Sequence, residues 1–191
     1  MQRLRWAVKI EATMILRILV PCFTLLILAG CDDRENNSPQ EPSHPTETEA
    51  PKLLVVGEVD PSFKLYDADW KNLPRTTIRA KEKDGKEVAF EGVLLRDVLK
   101  QAGVKLGDKP THRERLLLYV VAEATDGYKI LFSLQEIDPD VSDKVILIAD
   151  RADDKPLAAK DGPLRIVVPD EKLHVRWIRQ LTMLKVCRAP E

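Results

Sequence analysis

The stretch that organises the chain is Gly162–Val186, GPLRIVVPDEKLHVRWIRQLTMLKV. It holds a Gly-Pro turn, an apolar run that ends at Pro169, a polar loop, and a second apolar run over 177–186. These runs predict two β-strands. Arg165 and Arg176 flank the loop, and a guanidinium group offers a planar fork that suits phosphate or carboxylate. The stretch therefore predicts an anion-binding site; the alternative is that each arginine is salt-bridged to a neighbouring acid.

The N-terminal residues 1–31 are typical of a bacterial lipoprotein signal peptide. The uncharged run Ile18–Leu28 follows a basic segment, and its 11 residues are fewer than the roughly 20 that a membrane-spanning helix needs. The run ends in Leu28-Ala29-Gly30-Cys31, which resembles a lipobox. An ordinary cleaved signal and an N-terminal anchor helix are the alternatives. The lipoprotein interpretation predicts a lipid anchor on Cys31 and a periplasm-facing place in the bacterial cell envelope, with the inner or outer membrane left open.

Residues 32–51 have no apolar side chain larger than alanine and are rich in Pro, Glu, Ser and Thr. Such a segment cannot bury enough surface to offset its ordering entropy, so we expect a disordered tether. At about 5–6 Å times the square root of its length, the tether would hold the domain about 25 Å from the bilayer. We expect one folded domain over residues 52–187 and a short tail over 188–191.

Charge and cysteine content narrow the classes of function. The net charge of -1 gives no reason to expect nucleic-acid binding. Of the three cysteines, Cys22 would leave with the signal and Cys31 would be acylated, so only Cys187 would remain in the domain. The sequence therefore predicts no intramolecular disulfide and no cysteine metal cluster, and the three histidines show no ligand spacing. A tail cysteine such as Cys187 is more often inert than reactive.

The domain pattern predicts about eight short strands, one clear helix over 92–104, and minor helices near 67–70 and after Ser133. Turn signals at 83–86 and at Asp126-Gly127 predict hairpins. We expect Trp177 to pack in the core and His174 to be an exposed loop residue. The predicted fold class is α+β, with mixed β-sheets and a few short helices.

Five motifs carry a family resemblance: the Val55–Val59 strand, the Gly92–Val104 segment, Asp126-Gly127-Tyr128, the run 162–169, and Arg176-Trp177-Ile178. In this order they resemble the oxidoreductase molybdopterin-binding domain family, with a sulfite-oxidase-type fold. The resemblance covers roughly residues 53–186.

The resemblance implies a molybdenum-pterin cofactor whose metal takes a cysteine thiolate from the protein, since soft sulfur suits that metal. It also implies cofactor-binding positions at Arg165, at Asp161 before the Gly-Pro pair, and at Arg176 before the tryptophan. This chain departs from the pattern in two ways. Between Leu53 and Val104, where the family has its ligating cysteine, there is none; and Asp161 replaces an amide.

The departures favour a domain without the cofactor, and without catalytic or metal-binding residues. The leading hypothesis is a non-catalytic ligand- or partner-binding module, accessory to a redox protein of the envelope. The alternative is an oxidoreductase that holds a molybdenum-pterin cofactor without protein thiolate ligation. A purely structural envelope protein is a third hypothesis, so enzymatic activity stays open.

Overall fold

The computed structural model describes residues 50–106 and 116–190, which form two β-sheets. The strands of the first sheet are β1 Leu53–Gly57, β2 Phe63–Leu65, β5 Leu118–Ala124, β6 Lys129–Ser133 and β10 Leu181–Arg188. Their order is β2-β1-β10-β5-β6. The first and last strands of the domain, β1 and β10, pair in parallel in the middle of this sheet. At Gly57 an added Cβ would lie 2.0 Å from the Val186 carbonyl oxygen, so glycine is needed where the two strands meet.

The second sheet carries the remaining strands of the described residues: β3 Arg75–Lys81, β4 Glu87–Leu94, β7 Leu147–Ala152, β8 Lys155–Pro156 and β9 Arg165–Val167. Their order is β3-β4-β7-β8, with β9 paired to β7. Three short helices, α1 Asp67–Asn72, α2 Leu95–Gln101 and α3 Leu134–Ile137, join the strands, and His174–Arg176 forms one turn of 3-10 helix. The predicted α+β class with mixed sheets and few helices is confirmed.

One hydrophobic core joins both sheets. Alternate positions of the strands are buried, such as Leu53 and Val55 of β1, and Leu95, Val98 and Leu99 of α2 are fully buried. Trp177 is also in this core, as expected. Within residues 50–106 and 116–190, no helix is long and apolar enough to cross a bilayer.

The sequence placed the start of the main helix too early. We expected a helix from residue 92, but β4 continues to Leu94 and α2 begins at Leu95. The reason is tertiary pairing: Gly92 lies opposite Ala149 of β7, and an added Cβ there would be 2.0 Å from the Ile148 carbonyl oxygen. Apolar residues at this spacing suit a buried strand as well as a helix, so the pattern alone could not mark the boundary.

The last predicted strand also begins later than expected. Residues 177–180 lie outside β10, although Trp177 and Ile178 are buried. Their backbone makes other bonds: the Ile178 carbonyl accepts from the Ile166 amide at 2.8 Å, and the Gln180 amide donates to the Asp161 carbonyl at 3.0 Å. The pattern predicted burial correctly and the strand boundary wrongly.

Candidate functional site

Arg165 lies on β9 and is paired with a carboxylate at the end of β3. Its Nη1 and Nη2 atoms donate to the two carboxylate oxygens of Glu82 at 2.7 and 3.2 Å. The guanidinium carbon is 5.4 Å from the ring centre of Phe90 and 5.3 Å from that of Trp177. Only 5% of the Arg165 side chain is exposed. The group is therefore a buried cation held by one bidentate carboxylate and two aromatic rings.

Asp161 belongs to the same cluster. Its Oδ1 atom lies 3.0 Å from Nε of Arg179 and 4.0 Å from Nη1 of Arg165. Burial opposes ionisation of Glu82, but the hydrogen bonds and charge of Arg165 outweigh it, so the pKa of Glu82 lies below its usual value. The structure thus brings two of the three predicted cofactor-binding residues together, each with an opposite charge beside it.

Arg176 lies in a second network, which ties the loop before β10 to α3. Its Nε atom donates to Glu171 at 2.7 Å, and its Nη1 atom donates to Glu136 at 3.0 Å. Nζ of Lys144 lies 3.2 Å from the carboxylate of Glu136 and 3.6 Å from that of Glu171. Burial disfavours the charged guanidinium, but the hydrogen bonds of Glu136 and Glu171 raise the pKa of Arg176 overall.

A nearby capping box, in which Ser133 and Glu136 exchange hydrogen bonds, confirms the helix predicted after Ser133.

For both arginines the structure therefore shows the alternative considered from the sequence, a salt bridge to a neighbouring acid. An anion that bound to either guanidinium would have to displace a carboxylate or share the cation with it. Cofactor binding by Arg165, Arg176 and Asp161 remains a prediction.

A cleft of about 690 Å³ lies between the β3–β4 hairpin and the loop that follows β9. Its lining comes from residues 79–83, 85 and 87 on one side and 169–174 on the other. Neither Arg165 nor Arg176 lines the cleft, but their partners Glu82 and Glu171 do. The two predicted arginines thus lie behind the cleft wall, and the wall itself presents their carboxylate partners.

Three lysines around this cleft, Lys81, Lys83 and Lys172, are exposed; we call them the rim lysines. In the part of the chain that the structure describes, none of them has an ion-pair partner, and the one acidic lining residue without a partner is Asp170. The lining as a whole carries four basic and four acidic side chains, so its formal charge is balanced, and its positive character comes from three unpaired lysines against one unpaired acid. Sequence reasoning missed these lysines, although the charge run Lys81–Glu87, interrupted by a turn, was a signal that could have found them.

Four side-chain atoms are buried without a hydrogen-bond partner within the described residues: Oε2 of Glu171 and Nδ1 of His174 on lining residues, and Oδ1 of Asp161 and Nε of Arg165 in the cluster behind the wall. His174 is not an exposed loop residue as expected, because its ring stacks on Trp177 with the ring centres 4.0 Å apart. Burying a polar atom without a partner is unfavourable by about 1–3 kcal/mol. Because the two atoms of the lining residues have almost no accessible surface, a ligand in the cleft would not reach them without a movement of the side chains.

The other residues considered from the sequence lie apart from the cleft lining. Asp126 forms the expected hairpin turn, where its carboxylate accepts from the Tyr128 amide at 2.9 Å. The Tyr128 hydroxyl donates to the Val175 carbonyl at 2.8 Å. Cys187 is half-buried on β10, and its sulfur lies 3.7 Å from the Lys185 carbonyl oxygen.

Comparison with known families identifies the protein family of the chain. Residues 42–191 match the model of the oxidoreductase molybdopterin binding domain. The chain belongs to this family. The resemblance noted from five short motifs is thereby confirmed over the whole folded part, while comparison with curated proteins gives no match.

Among solved structures, the chain resembles the sulfane dehydrogenase SoxCD from Paracoccus pantotrophus, with a TM-score of 0.56 and 21% sequence identity. The alignment covers 72% of this chain and 38% of that chain. At this identity the likeness shows the shared fold alone. The chain thus spans well under half of the length of that relative.

The residues present do not fit a thiolate-ligated molybdenum-pterin group. The strand β3, where the family resemblance places the ligating cysteine, contains none, and Cys187 is absent from the cleft lining. Within residues 50–106 and 116–190, no group of three or more His, Cys, Asp or Glu side chains is arranged to hold a metal ion. The two arginines that the resemblance assigns to the cofactor are already paired with carboxylates. The donor set of this cleft suits hydrogen bonding and charge recognition rather than metal ligation.

Proposed function

We propose that the chain is a lipoprotein of the bacterial cell envelope whose domain is a non-catalytic ligand-binding module, accessory to redox chemistry in the envelope. The basic N-terminal segment, the short apolar run and the lipobox-like Cys31 support localisation to the cell envelope. Membership of a molybdopterin-binding oxidoreductase family supports the association with redox proteins. The missing cysteine supports binding rather than catalysis.

The observation that carries this proposal is the cleft of about 690 Å³, whose rim carries three exposed lysines without an ion-pair partner among the described residues. The rim lysines favour an anionic group on the ligand, such as a phosphate or carboxylate. The cleft therefore suits a small polar anion.

The rim can be tested with inorganic pyrophosphate as the probe. We expect the triple variant K81Q/K83Q/K172Q of the full chain to bind it about tenfold more weakly than the wild type, since each exposed charge contact contributes up to about 1 kcal/mol. The measurement is isothermal titration calorimetry at low salt. A matched control, K64Q/K71Q/K100Q, removes three exposed lysines that are not in the cleft lining. Equal affinity of the two triple variants, or no binding to the wild type, would contradict the proposal.

The alternative function is an oxidoreductase that holds a molybdenum-pterin cofactor without a protein thiolate, and family membership is the observation that favours it. Metal analysis separates the two functions. The full chain is purified from a host that makes the cofactor, and its molybdenum content and pterin fluorescence are measured. We expect molybdenum far below one atom per chain; stoichiometric molybdenum with pterin fluorescence would replace the binding module by the enzyme.

A further inference from the structure

Four exposed apolar side chains lie on two neighbouring segments: Tyr128 and Leu131 at β6, and Leu173 and Val175 in the loop beside the cleft. Their exposed fractions are 50%, 51%, 69% and 60%. Hydrogen bonds join the segments, because the Tyr128 hydroxyl donates to the Val175 carbonyl and Nη1 of Arg176 donates to the Leu131 carbonyl at 3.2 Å. We call this surface the apolar patch. Exposed apolar side chains that are grouped on neighbouring segments often mark an interaction site.

The loop that carries Leu173 and Val175 is fixed to the body of the domain by the side chains of His174 and Arg176. Between Leu173 and Val175, the His174 ring stacks on Trp177, whose Nε1 atom donates to the Val168 carbonyl at 2.9 Å. The Arg176 side chain then fixes the loop to Glu136 of α3. Leu173 and Val175 are therefore exposed although the residues around them are anchored.

Pairing with a strand of another protein does not suit this surface. β6 is an edge strand of the first sheet, and an exposed edge is ordinarily open to strand addition. Here the Leu131 carbonyl of that strand already accepts a hydrogen bond from Arg176. An incoming strand would have to break this bond and disturb the ion pairs of Arg176, so recognition by side chains is favoured.

Within the described residues, the unpaired charges next to the patch are three lysines and two exposed acids, Asp170 of the cleft lining and Asp126 beside Tyr128. Lys172 directly precedes Leu173, and both line the cleft together with Lys81 and Lys83. The acidic groups of this lining, apart from Asp170, have cationic partners: Arg165 for Glu82, Arg79 for Glu87 and Arg176 for Glu171. An apolar surface bordered by lysines suits an anionic membrane surface, where apolar side chains enter the headgroup region and lysines meet lipid phosphates.

We infer that the apolar patch and the rim lysines dock on the surface of an anionic lipid bilayer. This inference rests on the lipid tether of the proposed function. The tether predicted from the sequence over residues 32–51 would hold the domain about 25 Å from the bilayer, so the patch would stay within reach of the lipid surface. At this effective concentration a weak contact suffices to orient the domain. In the docked state the rim lysines contact lipid phosphates, so the bilayer and a small anion in the cleft compete for the same three side chains.

Hydrogen exchange of the full chain on vesicles tests this inference. One set of vesicles is pure phosphatidylcholine, and the other also contains phosphatidylglycerol. We expect the amides of residues 172–175 to exchange about fivefold more slowly on the anionic vesicles, which corresponds to the roughly 1 kcal/mol that a lysine gains near such a surface. The variant L173D/V175D should lose this protection. The control V141D, at a 48% exposed valine outside the patch, should keep it.

The outcomes separate docking from tethering. Flotation in a density gradient shows whether the chain is bound to the vesicles at all. If the chain floats with both kinds of vesicle but the amides of residues 172–175 exchange at equal rates on them, docking is refuted and the tether stands. If the chain floats with neither, both proposals fail. Equal protection in the wild type and in L173D/V175D would also overturn docking, as would protection that appears only after membrane proteins are added, because the occupant would then be a protein.

Discussion

Arg165 and Arg176 had the same predicted role, but the structure gives them different surroundings. Arg165 is 5% exposed, faces one bidentate carboxylate, and is flanked by the rings of Phe90 and Trp177. Arg176 is 24% exposed and shares two carboxylates with Lys144. The first arginine connects β9 with the end of β3 across the core, whereas the second connects a surface loop with a short helix.

The difference predicts that burial, and not residue type, decides how much each ion pair contributes to stability. A buried charge that loses its partner is left in a medium that solvates it poorly, whereas an exposed charge is solvated by water. Removal of Glu82 should therefore lower the free energy of unfolding strongly, because it leaves Arg165 buried. Removal of any one partner of Arg176 should lower it only slightly, because a second carboxylate and the solvent remain.

The largest expected effect is that of E82A. Removal of this carboxylate leaves Arg165 buried with only Asp161 at 4.0 Å, and we expect the free energy of unfolding to fall by about 3 kcal/mol. Urea unfolding of the full chain, followed by tryptophan fluorescence, measures the change. The double variant R165M/E82A should recover most of the loss, because it removes the buried charge together with its partner.

The Arg79–Glu87 pair offers a matched control in the same hairpin. Its side chains are 78% and 53% exposed and 3.3 Å apart, so E87A should cost less than about 1 kcal/mol. If E82A and E87A destabilise the domain equally, or if R165M/E82A is as unstable as E82A, the contrast between buried and exposed pairs does not hold for this protein.

Local patterns in the sequence were enough to predict the fold class but not the ion pairs. Alternating apolar residues marked most strands, and Ser133 with Glu136 marked a helix start, because these signals act between near neighbours in the chain. Glu82 and Arg165 are 83 residues apart, and only the packing of β3 near β9 brings them together. The same limit applies to the cleft, whose two sides are separated by about half of the domain. The residue type of Arg165 and Arg176 indicates only that each interacts with a negatively charged group. Which carboxylates they pair with required the structure.

A smaller effect is expected for R176M. The variant loses the bonds to Glu136 and Glu171 and the contact of the guanidinium with the Phe132 ring, whose centre is 4.6 Å away. Lys144 remains beside both carboxylates, and methionine keeps part of the packing over the ring, so we expect a loss of about 1 kcal/mol in the same urea experiment.

The loss in R176M should also be local, because Arg176 fixes a loop rather than the core. Amides of residues 170–176 should exchange faster in R176M than in the wild type, while those of β1 and β10 should change little. R176K is the matched control: it keeps the charge but not the planar fork, and should fall between the two proteins. A loss as large as that of E82A, with exchange accelerated throughout β10, would show that Arg176 supports the core as Arg165 does, and the distinction between the two arginines would fail.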